Sequence, residues 1–437
     1  MTAASDRFPL IASALGSPRL VHVCSLVMIG VGFTSDTLQR LIGWPGMLAA
    51  VVCLVLIAVV SLLLRRREVD WPGVLPVSLL IFVGWAGLSV LWSAYRWTTV
   101  GGVAYLLAFT VLGLYVALLR DTIQIVRSFG DVLRFVLALS LSLEIFSGLL
   151  IDMPLRFLGV EGNLAKLGPI QGLMSTRNQL GLVAVLALVT FSLEFVTRST
   201  SRTLAIGSMI LAGLCVLLSR SPVAFGVAIA VGIAALALLL IRRAPQQRRA
   251  LWQWGALVVA LVLALLTWML RTPIIVALSA NSELTYRLEL WRGLWNLIAV
   301  NPLQGWGWLG QWRPDISPFT SFSSAREPTS ALNAYIDVWF QLGLAGFFAF
   351  LVLVGLAFTR SWLLAGRRRS ILFAWPALIL VALIVSSLAE SSMLVEYGWL
   401  IFVVCCVKAA RELSWRRALG QAGPDEPGTP PPATITR

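Results

Sequence analysis

Residues 203–241 read TLAIGSMILAGLCVLLSRSPVAFGVAIAVGIAALALLLI, an apolar run broken near its middle by Ser219-Arg220-Ser221-Pro222. A helix crosses a bilayer core with roughly 17–25 residues, so this run holds two crossings, 203–219 and 222–241, joined by a tight turn. The turn puts Arg220 near the membrane–water boundary. A charge deep in the bilayer costs about 2.5–3.5 kcal/mol on insertion scales, so its presence needs a reason. Two readings stand: a snorkelling turn residue, and an anion-binding arginine facing a cavity.

Working outward, apolar segments of similar length recur near 19–35, 44–64, 73–92, 100–119, 131–150 and 178–197, then at 251–270, 335–359, 371–389 and 394–410. The composition agrees: 58% hydrophobic and 12% charged, with mean hydropathy +0.87, against about twice that charge in a soluble domain. The fold class expected is an all-α polytopic membrane protein with about twelve transmembrane helices. One transmembrane domain is expected over 1–410. It includes a large extracytoplasmic loop, 271–333, and is followed by a cytoplasmic tail, 411–437, disordered where Pro, Gly and Thr accumulate.

Loop charge supplies the orientation. Arg65, Arg66 and Arg67 follow the second segment, Arg120 and Arg127 the fourth, and Arg198 and Arg202 the sixth. Arg242, Arg243, Arg248 and Arg249 follow the eighth, Arg360 and Arg367 to Arg369 the tenth, and Lys408 and Arg411 the twelfth. Basic loops stay on the cytoplasmic side, so every even-numbered exit and both termini are expected there. The formal net charge of +14 is then mostly topology. Nucleic acid is not an expected partner, because the arginine clusters are short and lie against the membrane. All five cysteines lie inside apolar segments, where they read as small buried hydrophobes. The single histidine, His22, sits at the first segment and reads as structural.

Several arginines fall on the other side and call for a second explanation. The expected outer loops 151–177 and 271–333 are long, and loops of the second length usually carry their own structure. Within it the spacing of Leu284, Leu288, Trp291, Trp295 and Ile298 predicts a helix over 282–299, N-capped by Ser282 and lying along the outer leaflet. Arg287 and Glu283 lie one turn apart on another face of it. Arg177, Arg220 and Arg287 are expected to gather at one outer-facing cavity. Guanidinium forks match phosphate oxygens through paired hydrogen bonds, and a lipid carrier brings a diphosphate to that depth. Cationic stabilisation of a departing diphosphate takes the place of a metal ion, and the chain has no Asp-x-Asp pattern. No metal and no cofactor are expected.

Six stretches carry a resemblance: LSVLWSAYRWTT (88–99), STRNQLG (175–181), SRSPVAFG (219–226), YRLELWRGLW (286–295), NPLQGWGWLG (301–310) and LNAYIDVWFQLGLAG (332–346). In order, spacing and placement they resemble the O-antigen ligase and Wzy-type polymerase superfamily, over about residues 80–400. The resemblance implies a GT-C-like membrane fold and an undecaprenyl diphosphate-linked glycan donor. It also implies metal-independent, inverting transfer to a glycan or lipid acceptor on the outer face of the bacterial inner membrane. Arg220 and Arg287 match the catalytic arginines, and Arg177, Asn333 and Trp291 are substrate-binding candidates. Asn333 precedes Gly343 and Gly346 at the family spacing, but Leu332 stands where the ligases carry histidine. Glu327, Asp315 and Asp337 are the candidate substitute bases. Two other functions remain in view at this point: a flippase for lipid-linked oligosaccharide, which many even-spanned transporters resemble, and a non-catalytic scaffold for glycan assembly.

Overall fold

The computed structural model describes residues 17–65, 76–166, 168–269, 281–313, 315–322 and 328–412. Glu327 and the tail beyond residue 412 lie outside them. Among the described residues the regular structure is helical. In chain order the helices are α1 (Pro18–Phe33), α2 (Ser35–Leu64), α3 (Val77–Leu88), α4 (Arg96–Leu119) and α5 (Thr122–Ile145, continued by a π-helical turn to Ile151). Then come α6 (Arg177–Thr197), α7 (Arg202–Ser219), α8 (Pro222–Arg243) and α9 (Arg249–Met269). The last are α10 (Asn281–Val300), α11 (Ala334–Arg367), α12 (Ala374–Ser386) and α13 (Glu396–Glu412).

A helix lies on each of the expected apolar segments, and α10 is the helix expected in the large loop. Among the described residues seven helices, α2, α4, α5, α6, α7, α8 and α11, are long and apolar enough to cross a membrane by length and composition. Shorter apolar helices stand at Pro18–Phe33, Val77–Leu91 and Ile371–Ser386.

Two helices form the centre. α13 is buried at nearly every position from Tyr397 to Ala410 and packs chiefly on α4. α6 is surrounded by α5, α7, α8 and α12, and its apolar side chains from Leu180 to Leu193 are mostly buried. Large side chains turned outward on α2, α7 and α8, such as Leu56, Ile210 and Ile229, suit a lipid environment.

Helix starts are set by side-chain caps. Thr176, Ser221 and Asn333 each accept a hydrogen bond from the first turn of α6, α8 and α11, and Pro222 fills the first position of α8, where no N–H is needed. These three N-termini stand at one end of the bundle. The segment leading into α6 is held by α5 and α7. Glu144 accepts from the N–H of Gln171 and Gly172 at 3.1 and 2.9 Å, and Ile170 N–H donates to Leu218 at 3.1 Å.

Three of the six motif stretches interlock as scaffold. α11 is interrupted at Gly343, whose φ of 66° lies in the left-handed region. A side chain there would meet the Leu303 carbonyl, because residues 301–307 pass through the kink. Leu344 N–H donates to Pro302 and Gly307 N–H to Gln341, both at 2.8 Å. Trp92 Nε1 donates to Gln304 and Trp308 N–H to Ser89 Oγ, each at 3.0 Å, which ties the 88–99 stretch to the same loop. The Gly-x-x-G spacing thus serves a docking joint between the large loop and α11.

The expected details of α10 need two corrections. The helix begins at Asn281, so Ser282 lies inside the first turn and is not the cap. Its inward face is Arg287, Leu290, Leu294 and Ile298, packed with Trp312, Ile316, Phe319, Ala331 and Phe340. Leu288 and Trp295 face out at 40% and 44% exposure, so the apolar face expected to define the helix splits between the two sides.

Candidate active site at the converging helix starts

The remaining three motif stretches meet where α6, α8 and α11 begin. Arg287, on α10, is 8% exposed. Its Nη1 donates to the Leu332 carbonyl at 3.0 Å and also to the Ala389 carbonyl. Its Nη2 donates to Glu390 Oε1 at 3.0 Å. The same oxygen accepts from Asn178 Nδ2 at 2.7 Å, and Asn178 Oδ1 accepts from Ser221 Oγ at 2.7 Å. One hydrogen-bonded chain therefore runs from α10 through the 387–390 segment to the starts of α6 and α8. Burial raises the Glu390 carboxyl above the usual range, and the Arg287 charge pulls the other way.

The three arginines singled out from sequence differ in their surroundings. Arg177 Nη2 meets Glu283 Oε1 at 2.8 Å, with both side chains about one-third exposed, at 32% and 34%. Glu283 is one turn before Arg287, so this pair borders the Arg287–Glu390 pair. Arg220 immediately precedes Ser221 and closes α7 in a left-handed conformation, φ 46°. Its side chain is exposed and makes no hydrogen bond or ion pair with the described residues. Arg287 is committed to protein acceptors, Arg177 is half-committed, and Arg220 points a free guanidinium out of the same end.

Asn333 and Trp291 act on the backbone around Arg287. Asn333 Oδ1 caps α11 through the N–H of Tyr335 and Ile336 at 3.0 and 3.1 Å, and its Nδ2 donates to the Leu388 carbonyl at 3.0 Å. Trp291 Nε1 donates to the Ala331 carbonyl at 2.8 Å. Between them Leu332 holds φ 51°, which aims its carbonyl at Arg287. A non-glycine residue in that region costs roughly 1–2 kcal/mol, so the surrounding bonds hold the turn open against it.

Of the acids named as substitute bases, Asp337 and Asp315 are engaged outside this hydrogen-bonded chain. Asp337 is fully buried; Oδ1 accepts from Trp312 Nε1 and Gln341 Nε2 at 2.8 Å each, and Oδ2 from Ala331 N–H at 3.3 Å. It braces the turn that carries Leu332. Asp315 is 63% exposed beside Arg313. Glu327 falls outside the described residues. His22 binds Arg120 through Nδ1 at 2.8 Å, at the opposite end of the bundle. Among the described residues no three His, Cys, Asp or Glu side chains gather to hold a metal ion.

Sequence reasoning missed Glu390, Asn178 and Ser221. Glu390 carried a signal: an acid in the short break between two apolar segments is costly there and calls for a partner.

No curated protein matches the chain. The apolar helices and the family comparison together describe an integral membrane protein. Residues 207–351, from α7 into α11, match the family model Wzy_C, described as O-antigen ligase, so the likeness to the O-antigen ligase and Wzy-type superfamily holds over the stretch that carries Arg220, Arg287 and Asn333.

Proposed function

We infer that the protein transfers a glycan from an undecaprenyl diphosphate-linked donor to a glycan or lipid acceptor, in ligase-like or polymerase-like fashion. The reaction takes place on the outer face of the bacterial inner membrane. The chain crosses that membrane about twelve times in a GT-C-like arrangement, with both termini cytoplasmic. The observation that carries this reading is the meeting of Arg177, Arg220 and Arg287 with the N-termini of α6, α8 and α11 at one end of the bundle. Helix N-termini and guanidinium groups both favour an anion, and a lipid carrier delivers its diphosphate at the depth of helix ends.

Roles follow from the surroundings of each group. Arg220, exposed and without a side-chain partner among the described residues, takes the diphosphate oxygens and the charge that develops as the leaving group departs. Arg177 joins it by exchanging Glu283 for phosphate. Arg287 fixes the turn at Leu332 and the 387–390 segment, so the acceptor side keeps its shape. Asn333 and Trp291 hold that turn from α11 and α10. Attack from the face opposite the leaving diphosphate inverts the anomeric centre. Charge is neutralised by guanidinium groups, so transfer is expected to survive chelation by EDTA.

The test is transfer by purified protein from the lipid-linked glycan fraction of cells in which the gene is deleted. Wild-type protein consumes that fraction, and Arg220→Ala does so about 10²–10³-fold more slowly. Equal rates contradict the reading. Its sidedness is tested by Asp315→Cys, which a membrane-impermeant thiol reagent is expected to label in intact cells; labelling only after permeabilisation overturns it.

A further inference from the structure

Transfer to a hydroxyl acceptor releases a proton, and neither Asp337 nor Asp315 is placed to take it. Asp337 has both oxygens engaged by Trp312, Gln341 and Ala331, and Asp315 lies exposed against Arg313. Leu332 has no basic atom in its side chain. Glu390 differs. One oxygen, Oε1, is fixed by Arg287 and Asn178. The other, Oε2, has no hydrogen-bond partner among the described residues, and the residue keeps 7% exposure. A carboxylate locked through one oxygen with the other free has the form of a positioned general base. Its placement is built rather than incidental: α10 supplies Arg287, α6 supplies Asn178, and Ser221 at the start of α8 orients that amide. Other charged groups bordering the site are Glu283 and Arg177, which pair with each other, and Arg220, next to Ser221 in the chain.

We propose that Glu390 is the catalytic base of this chain, receiving the acceptor's proton on Oε2. The proposal rests on the transferase reading above. The acceptor O–H proton moves to Oε2 as the acceptor oxygen bonds to the anomeric carbon. The bond from that carbon to the diphosphate oxygen breaks, and its electron pair leaves with the lipid diphosphate. Carboxylate, acceptor and donor become carboxylic acid, linked glycan and lipid diphosphate, and Glu390 then returns its proton to water. Arg287 favours the ionised carboxylate against its burial, and the Asn178 bond keeps it aimed.

The experiment uses the full-length protein and the lipid-linked glycan fraction of gene-deleted cells, with transfer and donor binding measured separately. Glu390→Gln retains an oxygen for Asn178 and Arg287 but cannot accept a proton. The expected result is a transfer rate lower by about 10²–10⁴-fold, with donor binding within about threefold of wild type. Glu390→Ala is expected to regain transfer with added carboxylates, acetate rescuing better than formate because it is the stronger base. Rescue that ignores carboxylate basicity marks a positioning role and overturns the proposal, as does Glu390→Gln transferring at the wild-type rate. Should Glu390→Gln fail to fold, the acetate-to-formate comparison on Glu390→Ala and the shifted pH–rate profile of Glu390→Asp decide the matter. Failure of the wild-type protein to consume the fraction is a separate result: it removes the transferase reading, and the base with it.

Discussion

The two ends of the helix bundle satisfy their cations in different ways. At the end with the basic loops, several cations meet backbone, while Arg134 pairs with Asp131 and Glu194. Arg242 donates to the carbonyls of Arg368 and Arg369 at 3.0 and 2.6 Å, Lys408 to Arg120 at 2.6 Å, and Arg411 to Leu118 at 3.3 Å. Those carbonyls lie in the last turn of α4 or just beyond the ends of α4 and α11, where the helix dipole is negative, so cation and helix end complement each other. At the opposite end Arg177 and Arg287 stand against the starts of α6 and α11, where the dipole is positive. Each pairs with a carboxylate, Glu283 or Glu390, and Arg220 has none among the described residues. Folding alone satisfies these cations of the first end. On the reading proposed above, the second is completed by an added anion, and that difference separates topological charge from functional charge.

Arg287→Ala tests the difference with the largest expected effect on stability. It strands the buried Glu390 carboxylate, which costs about 3–5 kcal/mol, read as a drop in unfolding temperature in detergent. Unfolding at the wild-type temperature would show that the pair is not buried as described. Arg220→Ala comes next: the loss of transfer set out above, about 2.7–4 kcal/mol in barrier, is expected with no change in unfolding temperature, because Arg220 supports no neighbour. A fall in both would make it structural. Arg242→Ala reverses the pattern. Loss of hydrogen bonds from a charged group is expected to cost about 1.5–3 kcal/mol of stability while transfer by the folded protein is unchanged. Arg313→Ala, which removes an exposed pair with Asp315, is expected to stay within about 1 kcal/mol and to leave transfer alone.

The apolar segments were legible because hydrophobic length is a direct physical requirement for crossing a bilayer, and each one coincides with a helix. The helix at 281–300 was legible too, but not its orientation. Counting apolar residues favoured a face with Leu288 and Trp295, whereas the protein buries Arg287 with Leu290 and Leu294. Beside a membrane the usual rule weakens, because lipid is as good a partner for Leu as a protein core, and a charged group gains most from an interior that pairs it. Glu390 was illegible as part of the site because its partners are 212 and 103 residues away. The Gly343 kink was hinted at by spacing, but its cause, the passage of residues 301–307 against α11, is visible only in three dimensions. Arg220 was marked by its place in an apolar run, and the structure adds that none of the described residues holds its side chain.

The most direct test of the central claim, that this end of the bundle is completed by a lipid diphosphate, is the binding of undecaprenyl diphosphate to purified wild-type protein and to Arg220→Ala. The account predicts that wild type binds it and that Arg220→Ala binds at least about tenfold more weakly, or ~1.4 kcal/mol. Equal affinity of the two proteins would contradict it.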